Sequence, residues 1–214
     1  MNPPINSSSR DRGNRLVTAV KDNLLLLLGL VALAWGLEGI DFVFRGFLDR
    51  FGIQPRAIAS LPGILFAPFL HLGFTHLISN TVPFLILGSL VLVGGRKAFL
   101  SASLFIIVVG GAALWLFGPS HTNHIGASGL IFGYLGFLLT RGIVGKSGFW
   151  IVVSIGIILL YGGMLRGVLP GQPGISWQGH LFGFVAGMLA AWMMFSRGKT
   201  QRAGTGSRQN SSPY

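Results

Sequence analysis

The 214-residue sequence predicts an all-α membrane protein, a bundle of six transmembrane helices with a polar tail at each end. Three observations carry that prediction. The chain is 51% hydrophobic and only 10% charged, against roughly 25% charged residues in an average soluble domain. Six apolar stretches are separated by Gly, Pro or basic breaks, and a bilayer core about 30 Å thick asks for about 20 helical residues in each. Drawn as crossings, those stretches leave most of the basic residues on one side.

Taken in order, residues 1–22 are rich in Asn, Ser and Arg, bury no apolar core, and read as a disordered basic tail. The first span covers 23–44. Its basic start and Ala32-Leu33-Ala34 imitate a secretory signal peptide, but the apolar run continues to about Phe44, longer than an h-region, so the helix is expected to be retained. Within it Asp41 is expected to pair with Arg45 four residues on, and Glu38 to hydrogen-bond inside the bundle. Spans two to six follow at 76–95, 98–118, 127–140, 148–166 and 178–196. Residues 197–214, rich in Gly, Ser, Arg and Gln, read as a disordered C-terminal tail, so residues 23–196 form the one membrane domain and no repeat divides it.

Six crossings put both tails on the same side. If that side is the cytoplasm, it carries Arg10, Arg12, Arg15, Lys21, Arg96, Lys97, Arg141, Lys146, Arg197, Lys199, Arg202 and Arg208, twelve in all, against four outside, Arg45, Arg50, Arg56 and Arg166. The positive-inside rule then sets both termini in the cytoplasm of a multi-pass protein. Small size and short tails point to a bacterial plasma membrane. The net charge of +11 does not signal nucleic acid, because the Lys and Arg residues lie at segment ends and in the tails as topological anchors. With no cysteine there is no disulfide, thiolate chemistry or Cys-based metal site.

Span four is short. Only 13 residues separate Ser128 from the inner anchor Arg141, a rise of about 20 Å, which leaves Ser128 about 10 Å below the outer face. His180 and Asn80 come out roughly 24 to 26 Å above the inner face by the same count from Arg197 and Arg96. Three segments thus bring polar groups to the outer third of the membrane, where such groups cost free energy and mark a functional site. A serine hydroxyl needs an adjacent base to act as a nucleophile, and His180 is the candidate at matching depth. No carboxylate is placed to complete a triad, so a Ser-His dyad is the economical reading. The bland alternative makes Ser128 a small residue capping and packing helix four. Against it stand two stripes of small residues, Gly129, Gly133 and Gly136 on span four and Gly179, Gly183 and Gly187 on span six, which allow backbones to approach closely beside the two candidate residues. On span two, His76 and Asn80 are four apart on one face, and together with the Ser128 N–H they offer donors for an oxyanion. A metal held by His71, His76 and one of His121, His124 or His180 is the rival; no HExxH and no neighbouring carboxylate supports it, so no metal is expected. His121 and His124, in the loop before span four, are expected to be solvated, with His124 close enough to Ser128 to influence the site electrostatically.

These residues resemble the rhomboid family of intramembrane serine proteases. The family's GxSG motif is matched by Gly126-Ala127-Ser128-Gly129, its His-x4-His-x3-Asn pattern by His71, His76 and Asn80, and its sixth-helix motif by Gly179-His180 with Gly183 and Gly187. The resemblance spans about residues 23–196 and implies a six-helix rhomboid-like bundle with Ser128 as nucleophile, His180 as base, His76 and Asn80 as oxyanion donors and His71 supporting the site, alongside Gly126, Gly129 and Gly183. It implies hydrolysis of transmembrane segments of protein substrates within the lipid bilayer, with no cofactor. In some relatives a Tyr one turn after the serine stacks on the catalytic imidazole; Phe132 stands there in this chain and can stack without donating a hydrogen bond. The first outer loop, about residues 45–75, has no Trp and so lacks the Trp-Arg pair of other members. Two other classes fit the sequence less well, a proteolytically silent rhomboid-like binding protein and a channel or transporter, which would spread polar residues through the membrane depth.

Overall fold

The computed structural model describes residues 7–172 and 174–196; residues 1–6, Pro173 and the expected C-terminal tail, 197–214, lie outside the described residues. Helix α1 runs Ser7–Val43, so residues 7–22, assigned from sequence to a tail, continue the first helix. Extending a helix from an apolar segment already folded adds one bond per residue fixed and needs no new nucleus. At its outer end Arg45 takes the left-handed conformation at φ 56° and Gly46 follows at φ 80°, which turns the chain back on itself. The expected Asp41–Arg45 pair does not form among the described residues. Asp41 is buried and accepts the backbone N–H of Leu48, because the reversal brings that otherwise partnerless loop donor over the carboxylate. Glu38 is buried as well, and its Oε2 has no hydrogen-bond partner among the described residues.

The outer loop folds into short turns, Asp49–Phe51, Ile58–Ser60 and Ala67–Phe69 in 3₁₀ form, with one four-residue helix, α2, Gly63–Phe66. Several of its polar groups are satisfied internally, although the buried Asp49 Oδ1 has no hydrogen-bond partner among the described residues. The Arg56 guanidinium donates to the carbonyls of Leu116 at 3.0 Å and Gly118 at 2.8 Å, and Trp115 Nε1–H donates to Ala57 O at 3.0 Å. One arginine counted as an outer charge therefore staples this loop to the end of the third crossing.

Helix α3 spans Gly73–Leu92 with Pro83 inside it, which removes one intrahelical donor and is tolerated where neighbouring helices enclose the gap. The third crossing is α4, Arg96–Phe105, a π turn, Ile106–Gly110, and α5, Gly111–Phe117. Helix α6, Ser128–Val144, has 17 residues. Helix α7, Gly148–Tyr161, ends in a 3₁₀ stretch, Gly162–Val168, and α8 spans Trp177–Ser196. Five of these segments are long and apolar enough to cross a membrane.

The short one, α6, is the hub. Every residue from Leu130 to Leu138 is buried, so α6 is clad in protein and does not have to match the bilayer thickness itself. Tyr134 on α6 is 0% exposed, and its hydroxyl meets Ser103 Oγ of α4 at 2.7 Å. The rings of Phe84 and Phe99 lie 6.0 and 5.7 Å from the Tyr134 ring, in the range where aromatic pairs attract. At the inner end the Arg141 guanidinium lies 3.6 Å over the Trp150 ring, a cation–π contact. By contrast, α7 exposes Leu159 and Leu160 by about four-fifths, a face that only lipid removes from water.

Candidate active site

The α5–α6 loop delivers Ser128 through a turn that admits only glycine at Gly126. That residue adopts φ 115°, and a Cβ there would lie 2.6 Å from His76 Cε1. The Gly126 N–H is held by Ala67 O at 2.9 Å. Ser128 is then the first residue of α6, where backbone N–H groups lack intrahelical acceptors and point outward.

Ser128 Oγ lies 2.9 Å from His180 Nε2, joining residues 52 apart in sequence. The second ring nitrogen fixes the proton positions. His180 Nδ1 is 2.9 Å from Gly167 O, a carbonyl that can only accept, so Nδ1 carries the hydrogen. Nε2 is left with its lone pair toward the hydroxyl, and Ser128 donates to it. A backbone carbonyl thus fulfils the orienting task that a carboxylate has in a Ser-His-Asp triad. Phe132 stacks on the imidazole with centroids 4.2 Å apart and planes 11° from parallel. Gly167 has no room for a side chain, since a Cβ would lie 2.9 Å from Phe132 Cζ and 3.1 Å from His180 Nδ1.

Helices α6 and α8 meet through their glycines. A Cβ on Gly183 would fall on the Gly129 carbonyl, and one on Gly187 on that of Gly133. The π turn brings Gly110 against the same face, where its Cβ would lie 3.2 Å from Gly183 Cα.

His76, Asn80, Ser128 and His180 share the wall of a cavity of about 840 Å³ that also touches Trp177. The Leu72 N–H donates to His76 Nδ1 at 3.4 Å, which leaves the His76 proton on Nε2, a donor. Asn80 Nδ2 gives one hydrogen to His76 O at 2.9 Å and keeps the other free. His71 stands behind this wall, its ring edge-on to His76 at 5.2 Å, and its Nε2 accepts the Ala127 N–H at 3.4 Å. A pocket of about 60 Å³ adjoins Ser128 and is lined by Ala67, Gly110, Gly129 and Gly183 together with Ile64, Ile106 and Leu114.

The sequence reading missed one residue of the site and the bonding of another. Gly167 contributes a carbonyl, which no side-chain motif announces. His124, expected to be solvated, is hydrogen-bonded through both ring nitrogens, to Thr122 Oγ1 and Ser176 Oγ at 2.7 Å each. Burial holds its imidazole below the ordinary histidine range. His121, its loop neighbour, is exposed. Among the described residues no group of three or more metal-ligating side chains could hold an ion.

Against known proteins, a family model described as the Rhomboid domain matches residues 59–197. An uncharacterized protein of Mycobacterium tuberculosis is 43% identical over 185 residues, which cover 83% of this chain and 77% of that one. An uncharacterized protein of Mycobacterium leprae is 41% identical over 187 residues, covering 83% and 73%. A Bacillus subtilis protein, named as a candidate rhomboid protease, is 30% identical over 130 residues, covering 58% of this chain and 62% of its own.

Proposed function

The chain belongs to the rhomboid family and is an integral membrane protein, and from that premise we propose that it is an intramembrane serine endopeptidase that cuts transmembrane segments of other membrane proteins. What carries this function is the Ser128–His180 bond with its proton order set by Gly167. Ser128 Oγ attacks the scissile carbonyl as its proton passes to His180 Nε2, and the imidazolium so formed still donates from Nδ1 to Gly167 O. The tetrahedral oxyanion takes hydrogen bonds from the Ser128 N–H, His76 Nε2–H and the free Asn80 amide hydrogen. Collapse returns the proton to the leaving amine, and a water entering by the 840 Å³ cavity hydrolyses the acyl-enzyme by the same base. The 60 Å³ pocket beside Ser128 suits a substrate with a small side chain before the cut.

A fluorophosphonate is expected to label Ser128 alone, read by peptide mapping. Asn80→Ala is expected to retain most of that labelling while losing about 10²–10³ in kcat on a transmembrane substrate with little change in KM, because its hydrogen bond strengthens in the transition state. Label on another residue would sink the nucleophile, and a raised KM with normal kcat would make Asn80 a substrate-binding group instead.

The mycobacterial relatives support a bacterial plasma membrane protein, and the twelve-to-four distribution of basic residues supports both termini in the cytoplasm with the cavity opening outward. A reporter fused after Tyr214 is expected to read cytoplasmic and one inserted near Arg56 external; the reverse result would overturn this orientation.

A further inference from the structure

Building on the proposed protease function, we infer that His124 and Ser176 form a positioning clasp that holds the catalytic dyad in register from its outer end. The pair repeats the dyad with roles exchanged. Ser128 from the α5–α6 side meets His180 from α8 at 2.9 Å; four residues upstream on each segment, His124 from the α5–α6 side meets Ser176 from the start of α8 at 2.7 Å. Both pairs are 52 residues apart in sequence.

The hydrogens of this clasp can be placed one by one. Thr122 Oγ1 lies 2.7 Å from Pro119 O, a pure acceptor, so the Thr122 hydroxyl donates there. Thr122 Oγ1 then accepts from His124 Nε2–H at 2.7 Å, which leaves His124 Nδ1 to accept from the Ser176 hydroxyl. Ser176 Oγ in turn accepts the Gly179 N–H at 3.3 Å, capping α8 one residue before His180. Every group in the chain from Pro119 to Gly179 is used once in its proper sense, with His124 neutral. The backbone of His124 is pinned as well, exchanging 2.9 Å hydrogen bonds with Ile53 of the outer loop in both directions.

A clasp is needed here because the rest of the α6–α8 contact is smooth. Gly129, Gly133, Gly183 and Gly187 bring the backbones together without a directional side-chain bond, which sets the spacing of the helices and leaves their ends free to swing or slide. The dyad lies between that glycine seam and the His124–Ser176 pair, supported on both sides. Neither His124 nor Ser176 needs to touch the reacting atoms; they act through the placement of Ser128 and His180.

The test compares His124→Ala, Ser176→Ala, their double variant and Ser176→Thr with wild type in detergent, reading the rate of fluorophosphonate labelling, kcat and KM on a model transmembrane substrate, and Tm. Each single variant is expected to lose roughly 10- to 100-fold in labelling rate and in kcat with KM unchanged, as displacement of a reacting pair by about 1 Å would cause. The double variant should lose no more than the worse single one, since both remove one bond, and Ser176→Thr, which keeps the hydroxyl, should recover most of the rate. Wild-type rates in His124→Ala would overturn the clasp while leaving the protease intact. A loss that tracks Tm and is not recovered by Ser176→Thr would reduce the pair to a folding role and overturn it too. Failure of the wild type to label at all would remove the protease function on which the clasp depends.

Discussion

Ser128→Ala and His180→Ala are each expected to bring cleavage of a transmembrane substrate down to background, a loss on the order of 10⁴–10⁶ in kcat, as when one member of a serine-hydrolase dyad or triad is removed. The reason lies in the proton path. At its free pKa a serine hydroxyl is a poor nucleophile, and among the described residues the only nitrogen base bonded to Ser128 Oγ is His180 Nε2, at 2.9 Å. Among the described residues no carboxylate stands behind the imidazole to share the task; Gly167 O orients it and contributes only a carbonyl dipole. The two residues therefore serve one step, and the double variant should be no worse than either single one. Both changes remove atoms that face the 840 Å³ cavity and create no clash, so expression and Tm should stay close to wild type. Turnover near the wild-type level in either variant, with Tm unchanged, would refute the dyad.

Much of this arrangement is legible in the residues alone because membrane crossings obey few rules. Length, hydropathy and basic anchors locate the second to sixth crossings to within a few residues and the outer end of the first, whose inner end runs on to Ser7; the outlying short span at Ser128 proves to be α6, which protein encloses nearly all round. The GxSG and Gly-His motifs point to Ser128 and His180 because a hydroxyl and an imidazole at matching depth in lipid are costly unless they meet each other. What escaped was carried by the backbone or by loop geometry. Gly167 takes part through a carbonyl, and its only sequence trace is a glycine in a chain with 33 of them. His124 and Ser176 lie in loops whose conformation depends on the fold around them, so a polar loop histidine reads as solvated while both its nitrogens are bonded. Asp41 and Arg45 show the converse error. A four-residue spacing assumes that the helix continues, yet α1 ends at Val43 and Asp41 turns to the Leu48 N–H instead.

Gly183→Leu is expected to inactivate the protein and lower its Tm without altering any catalytic atom. Gly183 lies three residues after His180 on α8, and even a Cβ at that position would fall on the carbonyl of Gly129, the residue after Ser128. Backbone cannot yield as a flexible side chain can, so a leucine has to push α8 off α6. Overfilling a close-packed contact costs about 1–3 kcal/mol or more, and the displacement acts where the dyad is least tolerant. A shift of about 0.7 Å would carry the 2.9 Å Ser128–His180 distance to the length at which a side-chain hydrogen bond no longer exists, about 3.6 Å, and misplacement of about 1 Å costs on the order of 10²-fold in rate. Gly110 presses on the same face from the π turn, so the leucine finds no room beside Gly129 and the strain falls on the α6–α8 spacing. Gly156→Leu is the control: on α7 a Cβ at Gly156 meets nothing within 4 Å, and activity and Tm should remain close to wild type. If Gly183→Leu retained both while folding as before, the α6–α8 glycine seam would not be what holds Ser128 to His180.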